Sequence, residues 1–158
     1  MLTALSSRRI IRAVVALLLV AAADPTWAGE VPAAAREQLA TAKYVYISST
    51  RKDGALSKPA EIWFLFHDGA VYVGTPPTTW RARRIKAGRP QAKIWVGKPD
   101  GVSFTATGEL VKDPAIEALM FDTYAKKYPD GWPKYEKNFR NGFKDGSRIV
   151  IKYTPTGN

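Results

Sequence analysis

The sequence predicts an α+β fold built on a small, mostly antiparallel β-barrel with short flanking helices. Three observations carry that expectation. Six segments rich in β-branched and aromatic residues are separated by turns containing Gly, Asp and Pro. Helical patterning is confined to short stretches between and after them. The chain has 158 residues and is 46% apolar, enough for one domain with its own core. Closing a sheet into a barrel also removes strand edges that would otherwise pair with other chains.

Residues 1–28 read as an export signal rather than as part of that fold. Arg8, Arg9 and Arg12 make a basic start, and Ala13 to Ala23 is an apolar run. The run is shorter than the roughly 20 residues that span a bilayer. Thr26-Trp27-Ala28 then places small residues at the two positions a signal peptidase reads. An uncleaved anchor is the alternative. The form of the basic start is also specific: Ser7-Arg8-Arg9-Ile10-Ile11-Arg12 resembles the twin-arginine signal, a route suited to proteins that acquire a cofactor in the cytoplasm. The expected product is a periplasmic or secreted domain, residues 29–158, with no stable membrane insertion after cleavage. Removing residues 1–28 takes away three Arg and one Asp, so the net charge falls from +10 to +8. Such a field favours anionic partners without choosing among them. There is no cysteine, which excludes disulfides, thiol nucleophiles and zinc-thiolate sites.

The elements follow in order. Glu30 to Lys43 is polar and Ala-rich with Pro32 near its start, and predicts a short helix. Tyr44 to Thr50 is rich in strand formers, and Lys52-Asp53-Gly54 signals a turn. Ile62-Trp63-Phe64-Leu65-Phe66 is continuously apolar, the pattern of a strand buried on both faces. His67-Asp68-Gly69 turns the chain into Val71-Tyr72-Val73, so the pair predicts a hairpin. Thr79 to Ala87 fits a short helix stopped by Gly88 and Pro90. Lys93 to Val96 is a strand, and Lys98-Pro99-Asp100-Gly101 a turn. From Val102 to Val111 apolar and polar residues alternate, with Gly108 marking a bulge or a close approach. Asp113-Pro114 starts a helix whose Ile116, Leu119, Met120 and Tyr124 share one face and belong to the core. Tyr128 to Pro133 reads as a loop, Tyr135 to Phe143 as a short helix, and Arg148 to Tyr153 as the closing strand.

Chemistry concentrates in Gly74-Thr75-Pro76-Pro77-Thr78-Thr79-Trp80-Arg81-Ala82-Arg83-Arg84-Ile85-Lys86. Hydroxyls come first, then four cations between Arg81 and Lys86. Cations are normally unfavourable at a helix start, which already carries partial positive charge. A bound anion reverses that sign, so the stretch points to a phosphorylated ligand. The plainer readings are that Thr75 only ends a strand and that Arg83 and Lys86 are solvated surface. Elsewhere the catalytic inventory is thin. His67 is the only histidine and sits in a turn beside Asp68, with no nucleophile set against it. A histidine metal cluster is unavailable, and no carboxylate pair is visible. If the protein is an enzyme, a cofactor carries the reactivity.

From about Tyr44 to Tyr153, the order of these segments resembles the pyridoxamine 5'-phosphate oxidase-like flavin-binding family. The parts are the first strand and its Lys52-Asp53-Gly54 turn, the apolar strand around Trp63, and Asp68-Gly69 before Val71-Tyr72-Val73. Then come Gly74-Thr75, Thr79-Trp80-Arg81 with Arg84-Ile85, the strand from Ala92 to Val96, and the strand containing Gly108. The resemblance implies a split β-barrel that binds FMN or a deazaflavin coenzyme. It implies hydroxyls from Thr75 and Thr79 on the flavin phosphate, with charge from Arg81 and Arg84 and reach from Lys58. It also implies backbone N–H groups of Ile62–Leu65 facing the flavin ring, with Trp63 or Trp80 packed beside it; Trp63 otherwise reads as core. A homodimer with the cofactor at its interface and a small organic substrate complete the expectation. Pro59-Ala60-Glu61 stands where the oxidases themselves often carry a basic residue, which points away from vitamin B6 oxidation. The rival readings are a non-enzymatic periplasmic binder of an anionic ligand and a plain interaction domain. Export argues against nucleic acid as the partner.

Overall fold

The protein is described by a computed structural model over residues 29–156. The expected export signal, residues 1–28, lies outside the described residues. Helix α1 (Ala33–Thr41) is followed by strands β1 (Val45–Ser49), β2 (Ala60–Ile62), β3 (Leu65–His67) and β4 (Ala70–Thr75). Then come α2 (Trp80–Lys86), β5 (Gln91–Val96), β6 (Ser103–Val111), α3 (Pro114–Lys127), α4 (Trp132–Asp145) and β7 (Ile149–Pro155). The strands form one seven-stranded sheet in the order β2-β1-β5-β6-β7-β4-β3, with antiparallel neighbours throughout.

The topology itself forces the sheet to curl. Its two edge strands, β2 and β3, are separated in sequence only by Trp63 and Phe64. Three residue steps span at most about 11 Å, so Ile62 and Leu65 bring the two edges together at that end. The covalent chain closes the barrel there and no ladder joins the edges, which makes the barrel split. This bears out the expected α+β architecture.

The break corrects the reading of Ile62 to Phe66 as one continuous strand, and six expected strands become seven. The cause lies in α3. The Tyr124 hydroxyl donates to the Trp63 carbonyl at 3.0 Å, and the Phe64 N–H donates to the Tyr128 hydroxyl at 3.1 Å. Two tyrosines thus satisfy backbone groups that a ladder would otherwise hold. The hairpin survives in shorter form, with Leu65 opposite Tyr72 and His67 opposite Ala70. The strand buried on both faces is β4, every residue of which is buried.

That double burial separates two cores. Val71 and Val73 face the barrel interior with Val45, Ile47, Ile94, Ile151 and Tyr153. Val31, Ala35 and Leu39 bring the α1 segment into the same interior, and Ala82 does so for α2. On the outer face, Leu65, Tyr72 and Val150 pack against Met120, Tyr124, Trp132, Phe139 and Phe143 of α3 and α4. Met120 and Tyr124 are core, as the sequence predicts.

Helix α3 starts where its cap predicts: Asp113 Oδ1 accepts from Ala115 N–H at 2.9 Å and Ile116 N–H at 3.3 Å. Helix α4 is longer than expected. It takes in Trp132 and Pro133, because proline is tolerated in a first turn, and runs to Gly146 at φ 81°. Gly108 is a close approach rather than a bulge. Its register with Tyr153 is unbroken, and a Cβ there would lie 2.8 Å from Ile85 Cδ1 and Tyr153 Cε1. Among the described residues no helix is long and apolar enough to cross a membrane.

Candidate functional site

The segment from Thr75 to Lys86 leaves β4 at one end of the barrel and folds back over it as α2. Alternation along β4 puts Thr75 on the face shared by Val71 and Val73, and the residue is 3% exposed. Thr79 is the N-cap of α2, yet its hydroxyl does not cap the helix. It donates to the Pro76 carbonyl at 2.9 Å and lies 3.3 Å from the Thr75 hydroxyl. The two threonines therefore sit together beneath the helix start.

The cations of α2 divide by depth. Arg83 and Lys86 are exposed, in keeping with a solvated face. Arg84 turns inward and donates to Ser49 Oγ at 2.7 Å. Arg81 goes deepest. Its Nη1 is buried with no partner, and burial lowers its pKa. Arginine keeps its proton inside proteins, so this is a desolvated charge with an unused N–H donor. No carboxylate among the described residues pairs with it. Tyr153 is 1% exposed, its hydroxyl is also without a partner, and burial pushes its pKa up to about 12. Two buried polar groups without partners thus lie where α2 covers the barrel, each costly unless a bonding partner reaches it.

Lys58 belongs to the same end of the molecule. Ser57 bonds Ser49 twice, from its N–H to the Ser49 carbonyl and from the Ser49 N–H to Ser57 Oγ, each at 3.0 Å. Lys58 follows directly and is exposed. Trp63 is elsewhere. It stacks on Tyr128 with ring centroids 4.3 Å apart and meets Tyr124 and Tyr135 edge-on at 5.7 Å each. The Phe64 N–H, expected to face a flavin ring, is engaged by Tyr128. Trp80 is 67% exposed, with the guanidinium groups of Arg83 and Arg84 at 5.5 and 5.7 Å from its ring.

So Thr75, Thr79, Arg81 and Arg84 are brought together, Lys58 lies alongside, and Trp63 joins the outer aromatic cluster. Sequence reasoning missed Ser49 and Tyr153. Tyr153 was legible in part, since it falls two residues after the inward-facing Ile151. Ser49 carried no signal, because its role depends on α2 folding back across β1. His67 Nε2 lies 3.1 Å from Asp68 Oδ2 in an exposed turn, without a nucleophile. Among the described residues no cluster of three His, Cys, Asp or Glu is placed to hold a metal ion.

No family model matches the chain, and no curated protein matches it. Solved structures do. A protein related to general stress protein 26, of the pyridoxinephosphate oxidase family of Clostridium acetobutylicum, superposes with a TM-score of 0.53. The identity is 18%, covering 76% of this chain and 80% of that one. An F420 reductase gives 0.51 at 21% identity, over 80% and 97% of the two chains. HutZ, the heme storage protein of Vibrio cholerae, gives 0.57 at 10% identity, over 82% and 92%. At these identities the likeness is one of fold.

Proposed function

We propose that this chain, which has the split-barrel fold of pyridoxamine 5'-phosphate oxidase-like proteins, binds a flavin by its phosphate and acts as an oxidoreductase on a small organic substrate. The observation that carries this reading is the Arg81 guanidinium, buried with an unpaired Nη1 under the same helix that covers the buried, unpaired Tyr153 hydroxyl. A phosphate supplies both the missing charge and the missing acceptors, and charge-assisted bonds to arginine are the strong kind. Thr75 and Thr79 offer hydroxyls on the same side, Arg84 adds charge from Ser49, and Lys58 is free to reach in. The cofactor is FMN, with a deazaflavin coenzyme as the other member of the class; an F420 reductase is among the folds matched.

When bound, a flavin supplies hydride or electron transfer, which the side chains of this site do not. The chain's own part is to hold the anion, to keep Arg81 away from water on the buried side of α2, and to keep Arg84 oriented through Ser49. We place the protein outside the cytoplasm on the strength of residues 1–28, and as a homodimer on the resemblance to split-barrel flavoproteins. The substrate class is small and organic.

The test is the visible spectrum of residues 29–158 purified from the cytoplasm. A flavin band released as FMN on denaturation, and lost at least tenfold in the Arg81→Ala, Arg84→Ala double variant, is the expected result. A Soret band would replace the flavin with a heme. A colourless protein that binds neither added FMN nor a deazaflavin leaves a non-enzymatic binder of an anionic ligand and removes the oxidoreductase.

A further inference from the structure

On the outer face of the sheet lies a cleft of about 350 Å³ lined by Glu61, Ile62, Trp63, Tyr135, Phe139 and Arg148. It lies apart from the Thr75, Thr79 and Arg81 cluster, on the other face of β4. Four of its six lining residues are apolar or aromatic. Trp63 and Tyr135 stand edge to face at 5.7 Å, so rings of two orientations border the space. The volume falls at the small end of ordinary ligand pockets, the size of a one- or two-ring molecule.

Arg148 gives the cleft its chemistry. Its guanidinium lies 3.9 Å from the centre of the Phe139 ring, and Nη1 reaches the Gly74 carbonyl only at 3.5 Å. No carboxylate among the described residues pairs with it. Burial lowers its pKa, a sign that water solvates the charge poorly. A permanent cation half-sunk in an aromatic pocket, with a fork of donors and no acid opposite, is suited to a bidentate carboxylate. The one acidic lining residue is held away: Glu61 Oε2 accepts from the Tyr46 hydroxyl at 2.6 Å. That leaves the Glu61 carboxylate as the polar boundary of the cleft on the β2 side.

We propose that this cleft binds a planar aromatic carboxylate, its ring against Trp63 and Tyr135 and its carboxylate on Arg148. Arg148 directly precedes β7, and Gly74 directly precedes Thr75, so the ligand sits beside the strand that leads into the phosphate cluster. The binding itself requires no flavin, so a colourless protein that still binds the acid separates this inference from the function proposed above.

The experiment titrates 15N-labelled residues 29–158 with 2-naphthoate and with the neutral isostere 2-naphthamide. The Trp63→Phe spectrum identifies the Trp63 indole signal. The expected result is movement of that signal and binding of the acid at least tenfold tighter than the amide. Arg148→Gln is expected to erase the difference. Should that variant fail to fold, Glu61→Gln is read instead: removing the like charge tightens naphthoate two- to threefold and leaves naphthamide unchanged. Equal affinities for acid and amide, an unmoved Trp63 signal, or a Glu61→Gln variant identical to the parent would each overturn the proposal.

Discussion

At the scale of single residues, burial and chain topology decide what a side chain does. The Tyr128 hydroxyl shows this. It accepts from the Phe64 N–H at 3.1 Å and donates to the Lys43 carbonyl at 2.8 Å. Tyr128→Phe leaves the buried Phe64 N–H unsatisfied and takes the donor from the part-buried Lys43 carbonyl, and is expected to cost about 1–3 kcal/mol. A lower urea midpoint with an unchanged slope is the measurement. Lys127 is the converse, a charge held where it is poorly solvated. Its ammonium lies 3.3 Å from the centre of the Phe64 ring, and burial lowers its pKa to about 8. The unfolded chain holds that proton up to about pH 10.4, so between these values the unfolded state binds more protons than the folded one. Stability therefore rises with pH from about 8 to about 10.4, relative to a chain lacking the group. Unfolding titrations at pH 7.5 and 9.5 should show the parent gaining on Lys127→Met; parallel behaviour would remove the assignment. Neither role was visible in the sequence, since each depends on which residues lie against helix α3.

At the scale of elements, the local signals proved reliable and their ends less so. The Asp113-Pro114 start of α3, the Asp68-Gly69 turn and the stop at Gly88 all stand where turn and cap chemistry puts them. The apolar run from Ile62 to Phe66 misled, because periodicity cannot show that two tyrosine hydroxyls would replace the ladder at Trp63 and Phe64. Contacts between elements also impose demands that no periodic pattern records. Helices α3 and α4 approach β4 so closely that a Cβ on Gly74 would lie 2.7 Å from Phe139 Cε1 and 3.3 Å from Met120 Sδ. Gly74→Ala is expected to destabilise by about 1–3 kcal/mol through overpacking. Combining it with Phe139→Leu should recover part of the loss, and the coupling is read from a double-mutant cycle. Strictly additive costs would show that the contact is not the cause.

At the scale of the whole molecule, the barrel is a sheet whose edges the chain itself ties together, with a helix contributing to its interior from each of two separate segments. The first of these contributes Val31, Ala35 and Leu39, each at most 3% exposed. Deleting residues 29–43 should open the interior, lower the melting temperature and raise binding of a hydrophobic dye. An unchanged melting curve would mean that the barrel is complete without α1. What the sequence determined unaided was local: most strands, the turns between them, the helix starts, and a cationic stretch after β4 whose hydroxyls and arginines would converge. Those features follow from side-chain period and turn chemistry within a few residues. Only the tertiary structure decided that Arg81 is buried while Arg83 is exposed, that Ser49 orients Arg84 across 35 residues, and that Phe64 and Tyr128 meet across 64. These outcomes depend on how the sheet curls and which helix covers which end. Burial and pairing are properties of contacts between distant segments, and no local pattern encodes them.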